Sequence, residues 1–468
     1  MTARHRTTTQ RQAHPPTVYA VPSPSRLRSV LRAIGLALLA VALLPAAQAQ
    51  QLEASGELRV LGFGLPDEIA TERVALFEET YPDIDLQLTE GSIDQQQLLT
   101  AIASGNPPDV VYLNRADLST YATRGAIQPL GQCLQDAGMD VGQFREAAVQ
   151  DVTIDGEVYG VPDFYTVIVM VLNTAALEEA GISAEEFSTA DWEQLAQWNQ
   201  ALTRNEGGDL TRIGFDPKLP EFFPLWVRAN GGQLLSDDGR TAMLNSPEAV
   251  EALEYAASLH EAAGGRAPFM AFRDTWDFFG AGNQMASDQL AAFPIEQWYV
   301  NVLSDVSPDA PVAIKAFSDR EGNPITYATG SAWAVPTGAA NPEAACAFMT
   351  TMSSPDAWER AARARADLRA EAGGTYTGTY TGNTVADEVI FGELVQQSGD
   401  AKFDDAVQVI VSVQDAAFSI PPNPAGAEFR QSWTDAVNRV LNGEQTAQQA
   451  LDQAQQEAQA ALDKAWEE

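Results

Sequence analysis

An α/β fold built on a parallel sheet is what this sequence predicts, and three observations predict it. Strand-like apolar runs alternate with helix-period segments three times between residues 58 and 123. One of those runs, Val110-Val-Tyr-Leu113, is continuous rather than alternating, as in a strand covered on both faces. Glycine and proline punctuate the joins, with Gly62 and Gly64 after the first run, Pro82 after the first helix and Gly105-Asn-Pro-Pro108 before the third run.

Taken in order, Leu58 to Gly64 reads as the first strand, its end loosened by two glycines. Ala70, Val74, Phe77 and Tyr81 then share one helix face over about Asp67 to Tyr81, with Asp67 and Glu68 in the first turn where negative charge is favoured. Ile84, Leu86 and Leu88 alternate as a second strand, and Leu98, Leu99 and Ile102 mark a second helix. Gly105 closes that helix in a left-handed conformation, and Pro107 and Pro108 forbid its continuation. The strand that follows stops at Asn114, which either meets a ligand or caps the next helix, about Ala116 to Thr123. Further on, Val158 to Pro162 and Val167 to Leu172 are strand-like, the latter a buried run suited to a sheet centre or to a strand passing between domains. Asp191-Trp-Glu-Gln194 is a capping box, and Ser246-Pro247, Asn341-Pro342 and Ser354-Pro355 each place a cap before a first-turn proline. Gln289 to Ile295, Val312 to Phe317 and Ser331 to Val335 are further strands. The Thr375 to Gly382 tract reads as an exposed low-complexity loop, and Glu428 to Trp466 as helical, interrupted at Gly443.

The chain has 468 residues, enough for two or three domains. Six arginines and no acid precede the apolar run Ala33 to Leu44, and Ala47 and Ala49 supply small residues at the −3 and −1 positions. That is the pattern of a secretory signal peptide over residues 1–49; the run is short for a membrane anchor. Losing those six positive charges takes the net charge from −36 to −42. Such a surface excludes nucleic acid and anionic lipid as partners, without naming a ligand. Cys133 and Cys346 fit either one disulfide or two buried thiols, and there is no Cys/His cluster with metal spacing.

Six segments in order resemble the extracellular solute-binding proteins of ABC importers, in the carbohydrate-binding group that includes maltose-binding protein. They are Leu76-Phe-Glu-Glu-Thr-Tyr-Pro-Asp-Ile84; Ala103-Ser-Gly-Asn-Pro-Pro-Asp-Val-Val111; Arg124-Gly-Ala-Ile-Gln-Pro-Leu130; Asp155-Gly-Glu-Val-Tyr-Gly-Val-Pro162 with Leu172-Asn173; Ala229 to Gly239 leading to Leu244-Asn-Ser-Pro-Glu-Ala249; and Thr329-Gly-Ser-Ala-Trp-Ala-Val-Pro336. The resemblance implies a two-lobed periplasmic-binding-protein fold, with crossing strands and an interlobe ligand cleft. On that reading residues 50–162 form the main part of the first lobe, 163–317 the second lobe, and 318–468 return to the first lobe with C-terminal helices. It also implies a monomer that binds a sugar or sugar-like polyol and delivers it to the transmembrane subunits of an ABC permease, with no cofactor, metal or catalytic residue.

In open α/β sheets ligands bind beyond the carboxyl ends of strands. That selects Phe63, Gly64, Asp67, Glu90, Asn114 and Arg115 in the first lobe. The resemblance adds Asp163, Phe164 and Tyr165 after the Tyr-Gly-Val-Pro motif, Glu296 and Trp298 in the second lobe, and Trp333, Trp226 and Trp276 as further aromatics. Leu113 stands where maltose-binding protein has a tryptophan, which argues against a long oligosaccharide site. Two rival functions remain at this stage. Asp163, Glu90 and Glu296 could pair with a cationic ligand such as a polyamine, or Glu90 and Glu296 could be the carboxylate pair of an exported glycosidase.

Overall fold

The computed structural model describes residues 52–395, 397 and 399–467, so the expected signal peptide lies outside the described residues. The described chain folds around two sheets, each with its own apolar cores. In the first sheet the strands run, side by side, Ile84–Thr89, Gly56–Leu61, Val110–Asn114, Thr329–Ala334 and Val161–Thr166. Gly56–Leu61 is parallel to both its neighbours, whereas Thr329–Ala334 is antiparallel to both of its own. The second sheet runs Ala417–Phe418, Pro324–Tyr327, Val312–Ser318, Ile168–Asn173, Leu290–Glu296, Asp209–Phe215 and Arg204–Glu206. Every residue of Ile168–Asn173 is buried, as the absence of alternation in Val167 to Leu172 predicts for a sheet centre.

The chain crosses between sheets at Val167 and again at Ala328. The two crossings are stitched together. The Gln297 side chain accepts from the Val167 N–H at 2.8 Å and donates to the Tyr165 carbonyl at 2.9 Å. The Thr326 hydroxyl accepts from the Ile168 N–H at 2.6 Å and donates to the Ile168 carbonyl at 2.9 Å. Both crossings fall later than the boundaries expected from sequence, because Val161–Thr166 still pairs in the first sheet and Pro324–Tyr327 in the second. The C-terminal part also differs from expectation. Helix Ala401–Val413 packs on the second sheet, and helices Gly426–Leu441 and Ala447–Glu467 share a core with Trp226 and Leu253.

Local chemistry accounts for the helix starts. Asp67, Asp191, Ser246, Asn341 and Ser354 each accept a hydrogen bond from a first-turn backbone N–H. Gly105 takes φ +72° after helix Gln95–Ala103. Asp109, after the two prolines, is buried; its carboxylate accepts from the N–H groups of Arg59, Ala340 and Asn341, tying a strand to a helix start. Cys133 and Cys346 form a disulfide between helices Gly131–Ala137 and Pro342–Met352.

The Thr375 to Gly382 tract is not the exposed loop that its composition suggests. Thr377, Thr379 and Thr381 are buried, because their hydroxyls find partners inside. The Thr381 hydroxyl donates to Asp387, Thr377 donates to Asn301, and the Gly382 N–H donates to the Asp163 carbonyl.

Candidate functional site

Two cavities open along the edges that the sheets present to each other. The larger, about 530 Å³, is bordered by Asp67, Phe164 and Thr166 of the first lobe and by Gln297, Trp298 and Phe279 of the second. The smaller, about 280 Å³, is bordered by Asn114, Thr329 and Gly330 on one side and by Pro220 and Glu221 on the other. They adjoin, since Thr166 and Thr329 are direct cross-strand partners. Both therefore lie beyond the carboxyl ends of strands Val110–Asn114, Val161–Thr166, Leu290–Glu296 and Asp209–Phe215, where an open α/β sheet binds ligands. A third cavity, about 580 Å³, is bordered by Arg145, Tyr165 and Gln414 and shares only Tyr165 with the larger of these two.

The predicted residues divide between this cleft and the interior. Asp67, Phe164 and Trp298 border the larger cavity, and Asn114 borders the smaller. Glu296 ends its strand two residues before Trp298. Gly64 and Glu90 sit together after the first two strands: a side chain at Gly64 would come within 2.6 Å of the Glu90 carboxyl carbon. Asn114 both caps helix Arg115–Thr123, accepting from the Ala116 N–H at 2.9 Å, and faces the smaller cavity, so the two readings of that residue are compatible.

Four of the predicted residues are instead core. Phe63 is buried edge-on against Tyr112 and Trp333, and Trp333 is itself fully buried. Trp226 is fully buried and donates its indole N–H to the Pro217 carbonyl. Asp163 is fully buried and ion-paired with Arg73 at 2.7 Å. Tyr165 is buried, with its hydroxyl toward the Gln414 carbonyl, yet still borders the larger cavity. Arg115 borders the smaller cavity but spends its donors internally, on Asp151 at 3.1 Å and on the carbonyls of Phe164 and Thr329, both at 2.6 Å. It pins together the ends of the two paired strands. A side chain at Gly330, which takes φ +146°, would lie 2.0 Å from the Phe164 oxygen, so glycine is required beside that guanidinium. Trp276 is half-buried against Phe272, away from either cleft cavity.

The structure adds residues that sequence reasoning passed over. Phe279 is 63 % exposed and stacks on Trp298, the ring centroids 6.0 Å apart and the planes 16° off parallel. Together they make an aromatic shelf in the second lobe. Arg365 and Arg369, four apart on helix Pro355–Glu371, reach the same cavity. Arg365 pairs with Asp67 at 2.5 Å and with Glu68, and Arg369 pairs with Asp305 across the lobes. Asn301 accepts from the Thr377 hydroxyl at 2.6 Å and donates to the Gly378 carbonyl at 3.2 Å, a second interlobe tie. In sequence these arginines lie in a run of mixed charge that reads as a solvated helix face.

Two carboxylates of the larger cavity are thus compensated. Asp67 and Asp305 each have an arginine partner. Burial raises Glu296 above the ordinary carboxylate range, with Lys218 opposing that rise and Glu221 adding to it. Among the described residues, no group of three or more His, Cys, Asp or Glu side chains is placed to hold a metal ion.

Residues 72–369 match the model of the bacterial extracellular solute-binding protein family. The chain belongs to that family. An arabinooligosaccharide-binding protein of Halalkalibacterium halodurans is 25 % identical over 257 residues, covering 52 % of this chain and 54 % of that relative. The chain spans about half the length of the curated relatives it matches. A structure of CpMnBP1 with mannobiose bound superposes with a TM-score of 0.70 at 21 % identity, covering 86 % of this chain and all of that one. An ABC substrate-binding protein from Listeria monocytogenes in complex with cycloalternan gives 0.68 at 21 % identity, covering 87 % of this chain and 99 % of that one. The fold of this family member is therefore the two-lobed one, with crossing strands joining the lobes around a cleft.

Proposed function

We propose that this family member is the extracytoplasmic binding component of an ABC importer, holding a neutral sugar or sugar-like polyol in the interlobe cleft and presenting it, as a monomer, to membrane permease subunits. The observation that carries this reading is the pairing of the Trp298–Phe279 shelf with charge-compensated polar groups in one cavity. An aromatic plate packs against the apolar face of a sugar ring, while fixed arginine and carboxylate groups take its hydroxyls. Several relatives are named as oligosaccharide-binding proteins, which supports the same class. Of the carboxylates expected to meet a polyamine, Asp163 is buried against Arg73, and the cavity carboxylates Asp67 and Asp305 face arginines. Export to an oxidising compartment is consistent with the Cys133–Cys346 disulfide.

The test is a thermal-shift screen of the protein against mannobiose, maltose, lactose and diacetylchitobiose, with spermidine and putrescine alongside. A ligand at 100 times its Kd adds about 2.7 kcal/mol of apparent stability. At least one sugar is expected to raise Tm and neither polyamine to do so. Trp298→Ala should weaken the responding sugar about tenfold, corresponding to ~1.4 kcal/mol of lost stacking. A response to polyamines alone sinks the proposal.

A further inference from the structure

Gln414, which follows helix Ala401–Val413, carries an anomalous side chain. The residue is 2 % exposed, yet neither its amide nitrogen nor its amide oxygen meets a hydrogen-bond partner among the described residues. Buried polar groups are ordinarily satisfied, because each one left unpaired forfeits its bond to water.

Gln414 borders the third cavity, of about 580 Å³, and a second unpartnered donor borders it too. Arg145 spends Nη2 on Asp387 at 2.6 Å and Nη1 on Asp415 at 3.1 Å, but its buried Nε has no acceptor among the described residues. Tyr165 lies between the two side chains' segments: its ring centroid is 5.7 Å from the Arg145 guanidinium carbon, and its hydroxyl is 3.5 Å from the Gln414 carbonyl. Phe144, Leu234 and Phe418 supply apolar wall. A cavity of this size, mostly walled by such groups with a few convergent polar atoms, suits a small molecule.

Both lobes build it. Phe144 belongs to a core of the first lobe and Leu234 to a core of the second. The cavity meets the larger cleft cavity only at Tyr165 and the smaller only along residues 419–421, so it is a site apart from the cleft.

Chemistry narrows the occupant. A side-chain amide offers an N–H and a C=O side by side, and its complement is an edge with the same pair reversed, as in a primary carboxamide or a lactam. A trans peptide unit points its N–H and C=O in opposite directions and cannot close both bonds. An anion meets three bordering carboxylates, Glu146, Asp237 and Asp415, against two arginines, Arg145 and Arg228. A cation leaves the Gln414 nitrogen and Arg145 Nε without acceptors.

We propose that this cavity is a second ligand site, for a small neutral primary carboxamide or lactam on an apolar body, and that its occupant favours the lobe arrangement seen here. The ligand N–H donates to the Gln414 oxygen, and its carbonyl oxygen accepts from the Gln414 nitrogen and from Arg145 Nε. With walls from both lobes, the site holds its occupant best at one lobe separation, so binding shifts the closure equilibrium. In that same arrangement Arg369 and Asp305 join the lobes across the cleft, so amide and cleft ligand reinforce each other. This coupling rests on the sugar-binding reading, whereas the amide site does not.

The experiment is calorimetric titration of the wild type, Gln414→Leu and Gln414→Met with benzamide, N,N-dimethylbenzamide and benzoate. Each titration is run with and without the sugar that gives the largest shift in the panel above. The wild type is expected to bind benzamide, and to bind the dimethyl analogue, which has no N–H, and benzoate about tenfold or more weakly. Both variants should lose benzamide affinity by a similar factor, keep their sugar affinity, and melt at or above the wild-type Tm, since two unpartnered buried atoms are gone. Saturating sugar should tighten benzamide binding about fivefold or more. No wild-type binding of benzamide, equal binding of its dimethyl analogue, or wild-type benzamide affinity in a folded Gln414 variant overturns the site. Competition between benzamide and sugar also overturns it, by placing the amide at the Trp298–Phe279 shelf. Benzamide affinity unchanged by sugar overturns the coupling. If neither variant folds, the analogue series on the wild type decides the site. If no sugar binds, the sugar-binding reading fails, and the analogue and variant titrations still decide the amide site.

Discussion

Asp163→Ala separates a core role from a cleft role for the residue after the Tyr-Gly-Val-Pro motif. Asp163 and Arg73 are both fully buried, with Nη1 and Oδ1 2.7 Å apart. The same carboxylate accepts from the Tyr112 hydroxyl at 2.9 Å, and the Ser353 hydroxyl lies 3.4 Å away. Arg73 is enclosed by apolar rings, its guanidinium carbon 3.9 Å from the Trp358 centroid, and retains only the carbonyls of Ile69 and Met352 as other acceptors. Alanine at 163 therefore strands a cation in low dielectric, at a cost of about 3–5 kcal/mol. At ~2–4 °C per kcal/mol for a unit of roughly one lobe, Tm falls by roughly 10 °C. The assay is thermal or urea unfolding of the ligand-free protein, with Kd measured on the folded fraction. Because Asp163 has no surface in the cleft, Kd should stay within about twofold, well under the ~1.4 kcal/mol of a tenfold change. The double variant Arg73→Met/Asp163→Ala should be more stable than Asp163→Ala alone, since the stranded charge is gone. An unchanged Tm with lost ligand affinity, or a double variant no better than the single one, would refute the reasoning.

Two further predictions concern stability. His260 is buried against Phe269, and burial lowers it to about 4, below its ordinary value of 6.5. The unfolded chain therefore binds more protons between those values, and stability falls by about 3 kcal/mol as pH drops from 6.5 towards 4. His260→Gln should flatten that part of the pH profile in urea titrations, and an unchanged slope would exclude His260 as its source. The Cys133–Cys346 disulfide spans 213 residues of sequence, for which loop entropy gives up to about 5 kcal/mol. Reduction, or Cys133→Ser with Cys346→Ser, should lower Tm clearly. Equal Tm with and without reductant would show that the bridge contributes nothing.

Much of the fold was legible because its signals are local. The helix caps at Asp67, Asp191, Ser246, Asn341 and Ser354 depend on a side chain and a backbone N–H two or three residues away. The buried run within Ile168–Asn173 and the left-handed Gly105 are equally local. The buried threonine tract was missed because composition records polarity but not whether hydroxyls find partners, and those of Thr377 and Thr381 do so in Asn301 and Asp387. The Cys133–Cys346 pairing stayed open for the same reason: an apolar context suits a disulfide and a buried thiol alike.

The site was legible as a set of strand ends, and less so as a set of side chains. The carboxyl-end rule selected Asp67 and Asn114, which border the two cavities, and strand order alone places such ends on one edge. What a side chain does there depends on contacts between segments far apart in sequence. Asp67 meets Arg365 across 298 residues, and Arg115 meets the Thr329 carbonyl across 214. Whether an aromatic is core or shelf is decided in the same way: Trp333 and Trp298 both lie at a strand or its end, but Trp333 is closed in by Phe63, Tyr112 and Phe348 while Trp298, beside Phe278 and Tyr299, stacks on the exposed Phe279 at the cleft. The sequence by itself determined the α/β class, the places where helices begin and where strands end, because periodicity, caps and strand ends are properties of neighbouring residues. Tertiary structure alone decided which charges are compensated and which rings stay exposed, because each depends on what other segments bring within a few ångströms.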